Sequence, residues 1–343
     1  MTGRWRNNLL ASRFAQERGT LAVTALWMLA LLTLLAAGLM RSTLLGVRSD
    51  TLEIRATQAA WLARAGVQHA IAILLQEARK DSSCDALSDA WAQNEALFKH
   101  VACGEGFFEI AHLPPEDSLG RKPVYGLVDE NRKLNLNRMP ADILLRLPGM
   151  NPEKVAALLD WRDADNLPHE GGAEDSYYMA LASPYPCKDG DLDFVEELAL
   201  VRGFTAEDVQ RLSPLVTVYG DGRVNLNTAP AAVLEALGLP RELAQRIVKR
   251  RRGADGKPGT ADDIIFKDAS AIVSVLQQQE ALTPADQMLV NRLVAEQLLG
   301  VSSTHFTISV VGVTMNGQAR KRITATVQRV NRERVKILNW QEL

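Results

Sequence analysis

The sequence predicts an α+β protein: one very long N-terminal helix, a small antiparallel sheet, and a large all-α domain inserted between the strands. Three observations carry that reading. An uncharged, mostly apolar run extends from Thr20 to Met40, and no proline interrupts the chain before Pro114. Two groups of aromatic and β-branched segments lie far apart, near residues 107–128 and 306–330. Between them a helical stretch repeats itself, Lys133–Gly149 (KLNLNRMPADILLRLPG) being echoed by Arg223–Gly238 (RVNLNTAPAAVLEALG).

The apolar run is long enough to cross a hydrocarbon core, since 21 residues at about 1.5 Å each span roughly 30 Å. Arg4, Arg6, Arg13 and Arg18 precede it against a single Glu17. Positive charge holds that end in the cytoplasm, so the bulk of the chain is expected to be translocated. Three readings compete for the segment. A cleaved signal peptide has a shorter apolar region, with Ala36-Ala37-Gly38 only a weak cleavage site. A plain signal anchor fits the length. Arg18-Gly19 immediately before the run has the layout of a type IV prepilin leader. Beyond Arg41, Val67, Ala70, Ile71 and Leu74 form one apolar stripe with Arg64, Gln68 and Glu77 off it. The spacing predicts a nearly continuous helix from Thr20 to about Ala78.

Phe107, Phe108, Ile110 and Leu113 predict one strand and Pro123–Val128 another, with Pro114-Pro115 in the loop between. Phe306–Val313 and Arg322–Val330 predict two more, joined through Asn316-Gly317, a strong hairpin signal. The repeat aligns Asn135 with Asn225, Pro140 with Pro230 and Leu147 with Leu237. In each copy Asn137 or Thr228 is placed to cap a helix whose first turn tolerates the proline. A Gly/Pro turn then leads into a second helix, Pro152–Arg162 or Pro240–Arg251. Two such copies predict helix-hairpin-helix (SAM-like) repeats inside the helical insertion.

A net charge of −2 gives no overall signal for a polyanionic partner, and aromatics at 6% argue against an all-β protein. Cys84, Cys103 and Cys187 show no C-x-x-C spacing; Cys84 and Cys103 either pair or remain thiols. No G-x-S-x-G, H-E-x-x-H, P-loop or dinucleotide fingerprint is present, so no enzyme is predicted. Helix-hairpin-helix units often grip nucleic-acid backbones, which keeps a membrane-anchored, competence-type DNA-binding protein as the alternative function. The first copy, with four basic and five acidic residues over Asn135–Asp165, is not basic. The second ends in Lys249-Arg250-Arg251-Arg252, read first as a solvated helix end placed on the helix dipole.

The other constellation is acidic. Asp160, Asp163, Asp165, Glu170, Glu174 and Asp175 fall within 16 residues, with Gly171-Gly172 allowing a sharp fold. Calcium takes six to eight oxygens in flexible geometry, which such a loop can supply, although no EF-hand spacing is present. Asp189-x-Asp191-x-Asp193 comes closer to that spacing but lacks its glycine and glutamate. Asp255, Asp262 and Asp263, flanking a glycine-rich turn, are weaker candidates.

Taken together, RGTLAVTAL at 18–26, the two N-L-N segments, DWRDADNLPHEGGAEDSYY at 160–178, LDFVEELALVRGFT at 192–205 and VNLNTAP at 224–230 resemble the type II secretion minor pseudopilin K family, or general secretion pathway protein K. The resemblance covers essentially the whole chain. It implies cleavage by the prepilin peptidase between Gly19 and Thr20 and N-methylation of Thr20. It implies a pilin-like α/β domain carrying the helical insertion, and calcium held there by Asp160, Asp163, Asp165, Glu174 and Asp175. The expected layout is a leader (1–19), a transmembrane helix segment (20–40), the first part of the pilin-like domain (41–130), the insertion (131–300) and the C-terminal strands (301–343). Implied partners are the other minor pseudopilins of a filament-tip complex, the major pseudopilin, the peptidase, the inner-membrane assembly platform, and secreted cargo or the outer-membrane channel. The chain is expected in the inner membrane of a Gram-negative bacterium, N-terminus cytoplasmic and bulk periplasmic. Most pilin-like proteins carry Glu at the fifth mature position, facing a neighbour's N-terminal amine; here that position is the neutral Thr24. A tip subunit has no neighbour above it to neutralise.

Overall fold

The computed structural model describes residues 6–80, 83–113, 122–278 and 281–343, with side chains described from residue 21 onward except 48 and 49. It divides into two units, residues 1–58 and 59–343. Helix α1 (Arg6–Arg79) runs through both without a break and begins earlier than the expected Thr20, because nothing between Arg6 and Thr20 stops a helix. Gly19 and Thr20 lie on α1, outside the residues whose side chains are described, and the Pro114-Pro115 loop lies outside the described residues.

In the first unit the apolar side chains are exposed: Leu26, Trp27, Leu31, Leu34 and Leu39 are each more than 60% accessible. The stretch beginning at Leu21 is long and apolar enough to cross a membrane by length and composition. Its hydroxyls turn back on the helix, Thr24 Oγ1 donating to Leu21 O at 2.9 Å and Thr33 Oγ1 to Ala30 O at 2.8 Å. That pairing leaves little polar demand on an apolar surrounding.

In the second unit the chain continues through α2 (Glu95–Phe98) into strands β1 (Val101–Cys103), β2 (Gly106–His112), β3 (Val124–Tyr125) and β4 (Val128–Asp129). The insertion follows with β5 (Leu134–Asn135), α3 (Ala141–Leu144), α4 (Pro152–Arg162), α5 (Asp175–Tyr178), α6 (Ala206–Leu212), β6 (Val216–Thr217) and β7 (Val224–Asn225). It ends with α7 (Ala231–Ala236), α8 (Arg241–Arg251), α9 (Ile272–Gln277), α10 (Pro284–Ala295) and β8 (Leu299–Gly300). The chain closes with β9 (His305–Thr314), β10 (Arg320–Arg329) and β11 (Val335–Glu342).

Strands from both ends of the unit form one antiparallel sheet in the order β1-β2-β9-β10-β11, with β3 beside β2 and β4 beside β9. The expected strand over Pro123–Val128 is divided into β3 and β4 at Gly126, where a Cβ would stand 1.8 Å from Ala92 O. The Asn316-Gly317 turn is present, Gly317 adopting φ +64° between β9 and β10. Strand β11 was not foreseen. The stripe Val67, Ala70 and Leu74 packs with Ala63 against Phe108, Ile110, Phe306, Ile308 and Val310. Gly312 brings helix and sheet together, since a Cβ there would lie 2.2 Å from Ala59 O and 2.5 Å from Ala63 N.

The insertion has its own core, from Leu134 to Val301, including Leu144, Leu158, Tyr178, Leu234 and Phe266. It is not all-α. β5 pairs parallel with β6, and β7 with β8, in the same place in each repeat. The expected caps are also corrected: α3 and α7 start after Pro140 and Pro230 with no side-chain cap. The asparagines are occupied by tertiary bonds instead. Asn137 Nδ2 donates to Leu192 O and Val218 O, and its repeat counterpart Asn227 donates to Phe266 O and Val301 O. Each second helix ends in an arginine that returns to the same turn. Arg162 donates to Leu136 O and Met139 O, and Arg251 to Leu226 O at 2.6 Å. Arg251 is therefore buried rather than solvated, and burial pulls its guanidinium down to about 9.

A buried polar joint links sheet and insertion. Asp129 Oδ2 accepts from Ser303 Oγ at 2.7 Å and Thr228 Oγ1 at 2.5 Å, while Asn225 Nδ2 donates to Ser303 Oγ at 2.7 Å. Asp85 Oδ2 accepts from Ser303 N at 2.7 Å and Arg329 Nη2 at 2.6 Å. Burial pushes Asp129 up to about 6, against the pull of the Thr228 and Ser303 hydroxyls. The folded joint then holds a proton that the unfolded chain releases between about pH 4 and pH 6. Stability contributed by Asp129 should fall as pH rises through that window, by up to about 3 kcal/mol at 1.36 kcal/mol per unit. Urea unfolding at pH 4, 5, 6 and 7 measures the slope. Asp129→Asn should flatten it, and equal slopes in both proteins would refute the assignment.

Candidate functional site

The acidic loop folds over the C-terminal end of α4. Asp160 sits on the inward side of that helix and is fully buried, and Trp161 beside it packs against Tyr178 at 5.1 Å between ring centroids. Asp160 Oδ1 accepts from His169 N at 3.0 Å and pairs with His169 Nδ1, which raises the imidazole's proton affinity. The loop can close because residue 172 is glycine: a Cβ there would stand 1.9 Å from Asp160 Oδ2. Gly171 makes the turn with φ +82°. The chain then delivers Glu174 to the start of α5, where the side chain is 2% accessible.

Three sets of donor atoms gather here, each within 4.8 Å of one another: Asp160, Asp163 and His169; Asp163, Asp165 and Glu174; Glu174, Cys187 and Asp189. Four of the carboxylate oxygens, Asp160 Oδ2, Asp163 Oδ1 and both oxygens of Glu174, are buried without a hydrogen-bond donor. Buried acceptors normally find partners, so this concentration is costly. Its electrostatic signature is at Glu174, pushed up to about 7 by burial first and then by Asp160, Asp163, Asp189 and Asp165. Asp163 is raised for the same reasons. A divalent cation would supply the missing partners and offset the like-charge repulsion. The four orphaned atoms are all carboxylate oxygens, which suits calcium, with His169 and Cys187 standing beside them.

Asp175 is not among these donors; its Oδ1 accepts from Cys187 N at 2.7 Å and ties the 187–189 segment to the loop. Glu170 is exposed. Asp165 Oδ1 accepts from Leu167 N at 2.9 Å. Sequence reading missed His169, Cys187 and Asp189 as members of the cluster. Asp189 belongs to the acidic run that drew attention for its spacing, and it takes φ +51°. Its companions are used elsewhere, Asp191 pairing with Arg138 at 2.6 Å and Asp193 with Lys188 at 2.7 Å. No disulfide joins Cys84, Cys103 and Cys187.

The weaker candidates occupy a different loop. Asp262 Oδ2 accepts from Ala254 N and Asp255 N, and its Oδ1 from Thr260 Oγ1 at 2.6 Å. Asp255 accepts from Lys257 N and Asp263 from Gly259 N, each at 2.7 Å. Those carboxylates close the turn on its own amides and converge on Thr260 Oγ1, which lies 3.4, 2.6 and 3.3 Å from oxygens of Asp255, Asp262 and Asp263, so each already has a donor. Within the Lys249–Arg252 run Arg251 is turned inward, while Lys249 and Arg252 are exposed.

Residues 126–221 match the model of the first domain of "Type II secretion system (T2SS), protein K", and residues 224–290 match a second model of the same description. The type II secretion system protein K of Klebsiella pneumoniae is 30% identical over 329 residues, 92% of this chain and 94% of that one. Its counterpart from Pseudomonas aeruginosa is 32% identical over 232 residues, 64% of this chain and 68% of that one. The fold is similar to a chain in the crystal structure of the GspK-GspI-GspJ complex from enterotoxigenic Escherichia coli. The TM-score is 0.65 at 20% identity, over 87% of this chain and 99% of that chain.

Proposed function

Since the chain belongs to the type II secretion system protein K family, we propose that it is a non-enzymatic minor pseudopilin that caps the tip of the pseudopilus. From there it would initiate filament assembly and support export of folded proteins across the outer membrane. The observation that carries the tip position is Thr24: a neutral residue, hydrogen-bonded within its own helix, stands where a filament-body subunit would need a carboxylate. The partners proposed are two further minor pseudopilins, as in the complex of its structural relative, then the major pseudopilin, the peptidase and the assembly platform. Cargo or the outer-membrane channel would meet the exposed insertion.

In this reading residues 1–19 are the leader, 20–40 the membrane segment in the inner membrane, and the second unit lies in the periplasm. The paired helices α3–α4 and α7–α8 are helix-hairpin-helix units put to structural use, their turns pinned by the N-L-N asparagines and by Arg162 and Arg251. The Asp160–Glu174 cluster holds calcium, and Asp255, Asp262 and Asp263 form a secondary candidate. The test is pseudopilus assembly in cells lacking this chain but over-producing the major subunit. Few or no filaments, restored by the wild-type chain, are expected. Filaments of normal number would remove the initiating role.

A further inference from the structure

We infer that the cleft between strands β3–β4 and helices α7–α8 binds a small amphiphilic carboxylate, its anionic end held by Arg132, Arg251 and Arg252 and its apolar body by the rest of the lining. The site is separate from the acidic loop and does not depend on where the chain sits in a filament. The cleft has a volume of about 530 Å3, within the range of small-ligand sites. Leu87, Val124, Leu215 and Val248 supply apolar lining. Four cations share the same cleft: Arg132, half-buried, Arg251, 8% accessible, and the exposed Lys122 and Arg252.

The protein does little to neutralise that charge. Among the described residues no hydrogen bond or salt bridge reaches the Arg132 guanidinium, and burial lowers its proton affinity against the pull of Asp129 and Glu130. Both carboxylates are committed elsewhere, Asp129 to the Thr228 and Ser303 hydroxyls and Glu130 to Thr217, Thr307 and Lys133. Arg251 is depressed by burial first, then by Arg132 and Arg252, so the three guanidiniums feel one another's charge; Asp263 offsets only part of it. His112, at the same cleft, is pushed down to about 4, chiefly by burial with Arg132 and Lys133 adding to it. Partly desolvated cations of one sign are costly without an anion, and guanidinium forks match the two oxygens of a carboxylate. An inorganic anion would leave the apolar lining wet, whereas an apolar group attached to the carboxylate covers it. The carboxylate ends its molecule, because a mid-chain acidic group would have to fit chain on both sides into the same volume.

The experiment is equilibrium dialysis of the full-length protein in nonionic detergent against octanoate and against N-acetyl-leucyl-phenylalanine, with 1-octanol and the peptide amide as uncharged controls. One carboxylate per chain should bind in excess of the control. Arg132→Gln in the same micelles should weaken binding at least about tenfold, the loss expected for a charge-assisted bond. Arg252→Glu, at an exposed position, should weaken it as well, and it decides the matter if the unfolding midpoint shows Arg132→Gln to be poorly folded. Binding of octanoate alone supports a lipid-derived ligand, and binding of the peptide alone supports a chain terminus. No binding of either carboxylate, equal binding of the uncharged controls, or unchanged affinity in a folded Arg132→Gln would each overturn the proposal.

Discussion

Calcium should raise the unfolding midpoint of the full-length protein, and chelation should reverse the change. The four orphaned oxygens of Asp160, Asp163 and Glu174 are the reason: desolvated carboxylates face one another with no donor between them. A ligand that binds only the folded state at about 100 times its Kd contributes roughly 2.7 kcal/mol. For a folded unit of this size the midpoint moves about 2–4 °C per kcal/mol, so a rise of roughly 5–10 °C is expected. Glu174→Gln should remove most of the rise and make the metal-free protein more stable than the wild type, because it deletes the charge that burial and four aspartates oppose. Asp263→Asn should leave the rise intact if one ion binds, and calorimetric stoichiometry would reveal a second ion at the 255–263 turn. An unchanged midpoint with and without chelator would eliminate the calcium site.

Much of the fold could be read from the sequence because its signals are local. The apolar run and the stripe through Val67, Ala70 and Leu74 are periodicities, and the Asn316-Gly317 hairpin is a dipeptide preference. The split at Gly126 and the late strand β11 were not legible. The first depends on Ala92 O approaching from another segment, and the second on a residue run, Val335–Glu342, whose exposed face breaks the alternation that marks a strand. The repeated N-L-N segments were visible, but their use was not. Capping is the local option for Asn137, whereas its partners Leu192 and Val218 lie far along the chain. The acidic site divides in the same way. Asp160, Asp163, Asp165 and Glu174 cluster in sequence and in space. Asp189 and Cys187 reach them through tertiary bonds, Asp175, itself expected to be a ligand, accepting from Cys187 N, and Trp161 O from Gly190 N.

Replacing Gly19 with valine should leave the chain as an uncleaved precursor and stop secretion through the system. The peptidase in this reading cuts between Gly19 and Thr20, on the cytoplasmic side of a helix that continues unbroken from Arg6. A Cβ-branched side chain at that position stiffens the helix and crowds the scissile bond, where glycine imposes neither constraint. The uncut chain would keep Arg4, Arg6, Arg13 and Arg18 ahead of its apolar segment. That charge anchors the leader in the cytoplasm and opposes withdrawal of the helix into a growing filament. Intact mass of the membrane-extracted protein separates the outcomes: the wild type should begin at a methylated Thr20 and the variant at the original N-terminus. Folding of the second unit should be unaffected, so an unchanged calcium-dependent midpoint in the variant would confine the defect to processing. Wild-type levels of exported protein with the leader still attached would contradict the assignment of Gly19 and Thr20. They would return residues 20–40 to the simpler role of a permanent membrane anchor.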